Sequence, residues 1–136
     1  MRYAYDWLTD YRAEDRRFSR LRPRYTILRL SEGRVVRIRT HRVDGGDVLV
    51  AVDVIRLSPP NRWHVDQIDE DDYNSADFHL TRLGPNGTRV EVLVLERWMT
   101  ARYPSYTELR ERLNLYWDRI VAALEKDFQA GRPARA

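Results

Sequence analysis

A long amphipathic helix at the end of the chain constrains the fold more than any other feature of the sequence. It opens at Ser105-Tyr106-Thr107-Glu108, a capping box in which the Ser hydroxyl and the Glu carboxylate satisfy backbone N–H groups of the first turn. Apolar residues then recur every three or four positions, at Leu109, Leu113, Tyr116, Trp117, Ile120, Val121, Leu124 and Phe128. A stripe this wide needs a large apolar surface to cover it.

The residues before this helix read as antiparallel strands, which would supply that surface. Alternating and valine-rich segments separated by Gly, Pro and Asn turns predict six strands, at residues 25–31, 34–43, 48–57, 63–68, 75–83 and 88–98. Two short helices are predicted ahead of them, at residues 3–10 and 13–20. The pattern therefore predicts an α+β fold in which a sheet packs against one long helix.

Length and composition limit the classes of protein to consider. A chain of 136 residues favours a single domain, predicted here as residues 1–130 followed by a disordered tail at 131–136. It contains no cysteine, which excludes disulfides and thiolate chemistry. The sequence carries neither a membrane span nor a signal-peptide pattern, so a cytoplasmic location is expected. Because the net charge is only +3, a nucleic-acid partner is not expected.

The order of elements resembles the START-like helix-grip superfamily, also known as SRPBCC or the polyketide cyclase/dehydrase and lipid-transport group. The segments that carry the resemblance are Asp6-Trp7-Leu8-Thr9-Asp10-Tyr11, Pro59-Pro60, Gly87-Thr88-Arg89-Val90-Glu91-Val92 and Ala122-Ala123-Leu124-Glu125-Lys126. The resemblance implies a curved antiparallel sheet of six to seven strands wrapped around the C-terminal helix. It also implies a cavity between the sheet and that helix.

One departure from the family pattern concerns the edge of the sheet. The family starts with a strand before its two short helices, whereas almost nothing precedes Tyr3 here. Either the start site is misassigned, or the strand at 88–98 is left as an exposed edge. In the second case a partner chain could cover the edge, and a homodimer through this last strand is a possible assembly.

Hairpin geometry predicts which strand residues are neighbours. A two-residue loop at Gly45-Gly46 would place Ile38 opposite Asp53 and Arg39 opposite Val52. The face predicted to meet the helix then carries Val48, Val50, Val52, Val54, Trp63, Val65, Phe78, Leu80, Leu93 and Leu95. The opposite face carries Asp53, His64, Asp66, Asp77 and His79, mixed with Ile38, Ala51 and Val92. A single β-bulge would exchange these assignments downstream.

The helix-facing set is the candidate ligand site. Its predicted ligand-binding residues are Trp63, Phe78, Leu80, Leu113, Tyr116, Trp117, Ile120 and Arg39. The alternative is that the apolar members fill a solid core. Arg37 shares this face with Arg39, and a buried arginine needs a carboxylate or an anionic ligand. One of the two could therefore hold the acidic end of a ligand, or both could extend along the sheet to water.

The polar set on the opposite face offers a catalytic alternative. Two histidines among carboxylates could bind a divalent metal or act as an acid–base pair. However, alternating polar residues also arise wherever one face of a sheet meets water. The sequence therefore assigns no catalytic residue, and it predicts neither a metal site nor a cofactor.

Three functions follow from these features. The first is binding or transport of a small hydrophobic ligand, either a lipid or an aromatic or polyketide-like molecule. The second is a cyclase/aromatase- or dehydrase-like enzyme of the same fold; the resemblance leaves open whether the chain is an enzyme. The third is an interaction module that uses an arginine-rich segment, with Arg16, Arg17, Arg20, Arg22 and Arg24. Lys126 is the only lysine among the 24 basic residues, so arginine dominates every such surface.

Overall fold

Six strands pair in sequence order to form one antiparallel sheet, with helices before and after it in the chain. The computed structural model describes residues 1–19, 22–43, 45–46, 48–69, 73–85, 87–96 and 105–134. Its elements are α1 (Arg2–Thr9), the 3₁₀ helix η1 (Ala13–Phe18), β1 (Arg24–Ser31), β2 (Arg34–Arg42), β3 (Val48–Ser58), β4 (Arg62–Ile68), β5 (Tyr73–Arg82), β6 (Thr88–Glu96) and α2 (Tyr106–Gln129). The predicted α+β class and order of elements are confirmed, although the second short helix is 3₁₀.

The long helix α2 begins where its capping signal predicts. The Ser105 hydroxyl accepts a hydrogen bond from the Glu108 backbone N–H at 3.2 Å. At the other end, Gly131 adopts a positive φ of 65°, and the Arg132 N–H donates to the Asp127 carbonyl at 3.0 Å. None of the described helices is long and apolar enough to cross a membrane.

One face of the sheet, called the inner face here, packs against the helices. Its buried core residues Val35, Ile55, Trp63 and Leu80 come from β2, β3, β4 and β5. Ala4, Tyr5 and Tyr11 close this core from the N-terminal segment, and Leu124 of α2 packs against it. This one cluster therefore joins the sheet with both ends of the chain. The strand register decides which strand residues face the cluster, because side chains alternate between the two faces of a sheet.

The register between β2 and β3 differs from the predicted one. Ile38 lies opposite Val52, and Arg37 lies opposite Asp53, so the predicted pairing of Ile38 with Asp53 is wrong. The last pair before the turn is Arg42 with Val48, and not the pairing that a two-residue loop at Gly45-Gly46 requires. Since side chains alternate along a strand, this one-residue slip exchanges the two faces of β3.

The exchange moves the valines of β3 away from the helix. Val48, Val50, Val52 and Val54 share the outer face with Ile38, whereas Ala51 and Asp53 lie on the inner face. The predicted inward position of these valines is therefore wrong, as is the predicted outward position of Asp53. Arg37 and Arg39 lie on the inner face as predicted, because their pairing partners there are Asp53 and Ala51.

A second slip occurs between β5 and β6. Phe78 lies opposite Val92, and Arg82 lies opposite Thr88. The Leu83 N–H donates to the Gly87 carbonyl at 2.8 Å, so both residues belong to the turn. Val92 is therefore on the inner face and Leu93 on the outer face, opposite to the prediction. The side chain of Leu95 and residues 97–98 of the predicted strand lie outside the described part of the chain.

Candidate functional site

An aromatic wall forms where the sheet meets α2. Trp63 and Phe78 are a direct cross-strand pair, and their rings stack with centroids 4.7 Å apart and planes only 4° from parallel. Trp117 of α2 approaches Phe78 with a centroid distance of 5.8 Å. Trp63 is buried in the core, whereas Phe78 and Trp117 are only partly buried. The wall therefore runs from the closed core to a surface that solvent reaches.

The remaining predicted ligand residues divide between core and surface. Leu80 and Ile120 are buried, so they stabilise the fold by packing. Leu113 is partly buried, and Tyr116 is 36% exposed. The accessible apolar part of the predicted set therefore consists of Phe78, Leu113, Tyr116 and Trp117.

A buried ion cluster lies on the same face, at the β2–β3 side of the sheet. The side chain of Asp53 is fully buried, and its two carboxylate oxygens accept hydrogen bonds from Arg37 Nε at 2.7 Å and from Arg39 at 3.1 Å. The register explains this contact, because Arg37 lies directly opposite Asp53 and Arg39 follows two residues later. Two guanidinium groups offset the cost of removing this carboxylate from water.

Two tyrosines flank the guanidinium group of Arg37. Its Cζ lies 5.3 Å from the ring centre of Tyr11 and 4.9 Å from that of Tyr25. Burial raises the pKa of both phenols, so they remain neutral around pH 7. Burial also opposes the charge of Arg37, but the Asp53 carboxylate outweighs it and raises the pKa of this guanidinium. Tyr116 of α2 interacts electrostatically with the same group.

Arg39 retains unused hydrogen-bonding capacity. Its Nε is buried and donates to no partner among the described residues, while its other end holds Asp53. A buried donor without a partner typically costs about 1–3 kcal/mol. The Arg39 side chain is also 24% exposed, against 17% for Arg37, so Arg39 is the arginine of this cluster that a ligand reaches more readily.

Sequence reasoning identified the two arginines but missed Asp53, Tyr11 and Tyr25 as their partners. The available signal was a lone carboxylate within the valine-rich strand Val48–Ser58. Such a residue in a strand with apolar neighbours on both sides suggests a buried ion pair, since an isolated carboxylate there would be costly. Tyr11 could not be placed from sequence, because it lies beyond α1 and adopts a positive φ of 43°.

The predicted histidine and carboxylate group lies on the outer face, without Asp53. His64 contacts Asp77 through Nδ1 at 2.6 Å and Asp66 through Nε2 at 2.9 Å. Tyr73 donates to Asp66 at 2.6 Å. The two carboxylates therefore lie on opposite sides of the ring. The described residues contain no group of three or more His, Cys, Asp or Glu side chains that could hold a metal ion.

Both nitrogens of His64 are engaged, which limits what this residue can do chemically. Partial burial opposes its protonation, but the hydrogen bonds to Asp77 and Asp66 outweigh that effect and raise the pKa of the imidazole. A doubly hydrogen-bonded imidazolium has no free lone pair, so it cannot act as a general base without breaking this network. His79 is similarly tied, with Asn61 at 3.1 Å and Glu91 at 3.7 Å.

An open groove of about 680 Å³ runs beside these histidines. Its lining residues are Arg56, Ser58, Arg62, Trp63, His64, Asp77, Phe78, His79, Glu91, Val92 and Leu93. Charged groups of both signs alternate with apolar side chains along it. Such a mixed and open lining suits a protein surface better than an enclosed apolar ligand.

The N-terminal segment is tied to the end of α2 by a further polar junction. The Trp7 indole N–H donates to the buried Asp127 carboxylate at 3.1 Å, and Arg132 contacts the same carboxylate at 3.2 Å. Nearby, Asp10 is 3% exposed, with Arg12 Nε 2.8 Å from its carboxylate. Burial raises the pKa of Asp10 to about 7, although Arg12 opposes this shift. The hydrogen bond from Trp7 to Asp127 therefore ties α1 to the last turns of α2.

Known proteins add no further constraint on this site. No protein-family model, curated protein or solved structure matches the chain.

Proposed function

We propose that this protein has a helix-grip fold and binds or transports a small hydrophobic ligand between the sheet and α2. The observation that carries the proposal is the incomplete burial of the aromatic wall. Phe78 and Trp117 contact each other from opposite layers, yet both stay partly accessible. An apolar ligand that covered these rings would gain about 25 cal/mol for each Å² of apolar surface removed from water.

The inner face also offers a means of orienting such a ligand. The apolar wall at β4, β5 and α2 shares this face with the Arg37–Asp53–Arg39 cluster at β2 and β3. Asp53 holds Arg39 in place, and the partly exposed guanidinium group of Arg39 donates to an oxygen at the ligand's polar end. We therefore favour an amphipathic ligand with a carboxylate, since a charged acceptor strengthens that hydrogen bond.

Binding is favoured over catalysis by the placement of the titratable groups. His64 and His79 lie on the outer face and have their nitrogens engaged by Asp, Glu or Asn side chains. The phenols of Tyr11 and Tyr25 have raised pKa values, which makes them poor bases at neutral pH. The inner face thus supplies recognition groups more readily than groups that move protons.

The proposal is tested by native mass spectrometry, followed by thermal unfolding with two ligands of the same chain length, one an acid and one an alcohol. We expect dodecanoic acid to raise Tm by about 3 °C or more at saturation, and 1-dodecanol to give a smaller increase. Trp117→Ala should remove both responses. Leu115→Ala, two positions earlier on α2 and 60% exposed, is the matched control and should retain them. The proposal fails if panels of lipids and aromatic acids neither shift Tm nor add mass to the wild-type protein.

A second comparison isolates the role of Arg39. In Arg39→Gln, the increase in Tm caused by dodecanoic acid should fall to that caused by 1-dodecanol. The increase caused by 1-dodecanol should stay unchanged. Arg42→Gln is the control, because this arginine lies on the same strand and is exposed. Equal binding of acid and alcohol by the wild type would refute the orienting role and leave the hydrophobic site standing.

A further inference from the structure

The outer face of the sheet is unusually apolar for a surface that the described residues leave uncovered. Leu28, Val48, Val50, Ile68 and Leu93 are between 39% and 63% exposed there. The strand register joins these exposed residues to other residues of the outer face in rows across the sheet. Thr26, Ile38, Val52 and Ile68 form one row across β1–β4. Leu28, Val36 and Val54 form the next row. A contiguous apolar surface of this kind marks an interaction site more often than isolated exposed residues do.

Charge is divided between the two halves of this face. On β1–β3 the outward charged residues are all arginines, at Arg24, Arg34, Arg42 and Arg56. On β4–β6 the same face carries its three carboxylates, Asp66, Asp77 and Glu91, together with Arg62 and Arg89. A single row shows the change of sign, since Arg34, Arg56, His64 and Asp77 follow one another across four strands.

The Arg34 end of this row is therefore suited to the Asp77 end of the same row in a second copy. A two-fold axis parallel to the strands, between β3 and β4, places β2 of one copy over β5 of the other, and β3 over β4. In that arrangement Arg34 faces the other copy's Asp77, and Val52 faces the other copy's Ile68. Both a charge contact and an apolar contact thus arise from one symmetry operation.

We propose that the outer face of the sheet is the interface of a homodimer with this two-fold axis. With about 4.8 Å between strands and about 3.3 Å per residue, a six-stranded face whose strands average about nine residues covers roughly 850 Å² in projection. Standard interfaces bury roughly 800 Å² of accessible surface per partner, so the face has the required size. The groove lined by His64, Asp77 and Leu93 receives the partner's Arg34.

The charge pattern favours a second copy over an anionic membrane. A flat bilayer surface would meet both halves of the face, and the carboxylates of β4–β6 would be repelled by its lipids. A second copy avoids this conflict at Asp77, because the two-fold operation presents the partner's Arg34 to this carboxylate. The proposal also differs from pairing through the β6 edge, which would use backbone groups and ignore these side chains.

Charge reversal and rescue provide the test. Sedimentation of the wild-type protein should give a dimer, twice the chain mass of 16.3 kDa. Arg34→Asp and Asp77→Arg should each raise the dimer Kd at least about tenfold, because each places like charges together. The double variant exchanges the two signs and should recover dimerisation to within about threefold of wild type. Arg110→Asp and Asp118→Arg, on exposed positions of α2, are matched controls and should leave the Kd unchanged.

Circular dichroism of each variant separates loss of the interface from loss of the fold. A wild-type protein that stays monomeric at about 100 µM would overturn the proposal, since a Kd of that order is weak even for a transient contact. A dimer that tolerates both single reversals would overturn it in favour of another surface, including the β6 edge. Binding of the monomer to phosphatidylserine vesicles in place of dimerisation would overturn it in favour of a membrane.

Discussion

Two charged networks lie on opposite faces of one sheet and differ in what surrounds them. On the inner face, Arg37 and Arg39 hold a fully buried Asp53. On the outer face, His64 bridges Asp66 and Asp77, and the Asp77 side chain is 62% exposed. Both networks combine cations with carboxylates at hydrogen-bonding distance. Burial, more than geometry, should therefore decide how much each contributes to stability.

The largest expected effect follows from removing the buried carboxylate. Asp53→Asn leaves two guanidinium groups of the inner face without their counter-charge, and we expect it to lower the free energy of unfolding by about 3–5 kcal/mol. Asp77→Asn removes an exposed partner of His64 and should cost less than about 1 kcal/mol. Urea denaturation of both variants measures the difference. Equal costs would show that burial does not separate the two networks.

The arginines provide the complementary comparison. Arg37→Gln removes the 2.7 Å contact with Asp53 and the packing against Tyr11 and Tyr25, so we expect a loss of about 2–3 kcal/mol. Arg56→Gln removes a 3.4 Å contact with Asp66 at a side chain that is 57% exposed, and should cost less than about 0.5 kcal/mol. The same denaturation experiment reports both. A cost at Arg37 as small as that at Arg56 would indicate that water reaches the inner cluster.

Asp10 sharpens the comparison, because it is buried like Asp53 but is less well paired. Its pKa is raised from 3.8 to about 7, so the folded state holds a proton that the unfolded chain releases. The free energy of unfolding should therefore fall as pH rises from about 4 to about 7, by an amount on the order of 1 kcal/mol or more. Asp10→Asn should flatten this dependence in a pH series of thermal melts. An unchanged slope in the variant would mean that another group titrates.

The smallest effect on the free energy of unfolding is expected from replacing His64, and this effect depends on pH. Because the pKa of His64 is raised above 6.5, its contribution to stability is fully present below pH 6.5 and is lost as pH rises through the folded value. His64→Gln should therefore be less stable than wild type at pH 5.5 and close to it at pH 8.5, by about 0.5 kcal/mol at most. NMR titration of the imidazole measures the pKa directly. A pKa below 6.5 would contradict the hydrogen bonds of His64 with Asp66 and Asp77.

The N-terminal junction shows the limits of local sequence signals. Trp7 and Asp127 are 120 residues apart in sequence, and neither has a local feature that predicts their hydrogen bond. The sequence places Trp7 within the predicted short helix at residues 3–10 but assigns it no contact with the C-terminal helix. Its partner became apparent once α1 and the last turns of α2 were placed together, because that contact arises from tertiary packing.

The two register errors have a common physical cause. The Gly45-Gly46 signal identified the β2–β3 turn correctly, but the number of residues in the turn depends on how the flanking strands bury their side chains. Placing Arg42 opposite Val48 brings Asp53 to the arginines and moves the four valines of β3 to the outer face. The same uncertainty at Gly84–Gly87 reversed the positions of Val92 and Leu93.

The sequence by itself determined the order of elements, the start of α2 at Ser105 and the strand positions to within about two residues. These features depend on neighbours in the chain, such as the Ser105 hydroxyl and the Glu108 N–H, or on short periodic patterns. Only the tertiary structure decided the strand register, and with it the Asp53 cluster, the outward position of the β3 valines and the apolar outer face. Faces depend on register, and register is set by contacts between distant segments that compete to bury apolar side chains and pair charges.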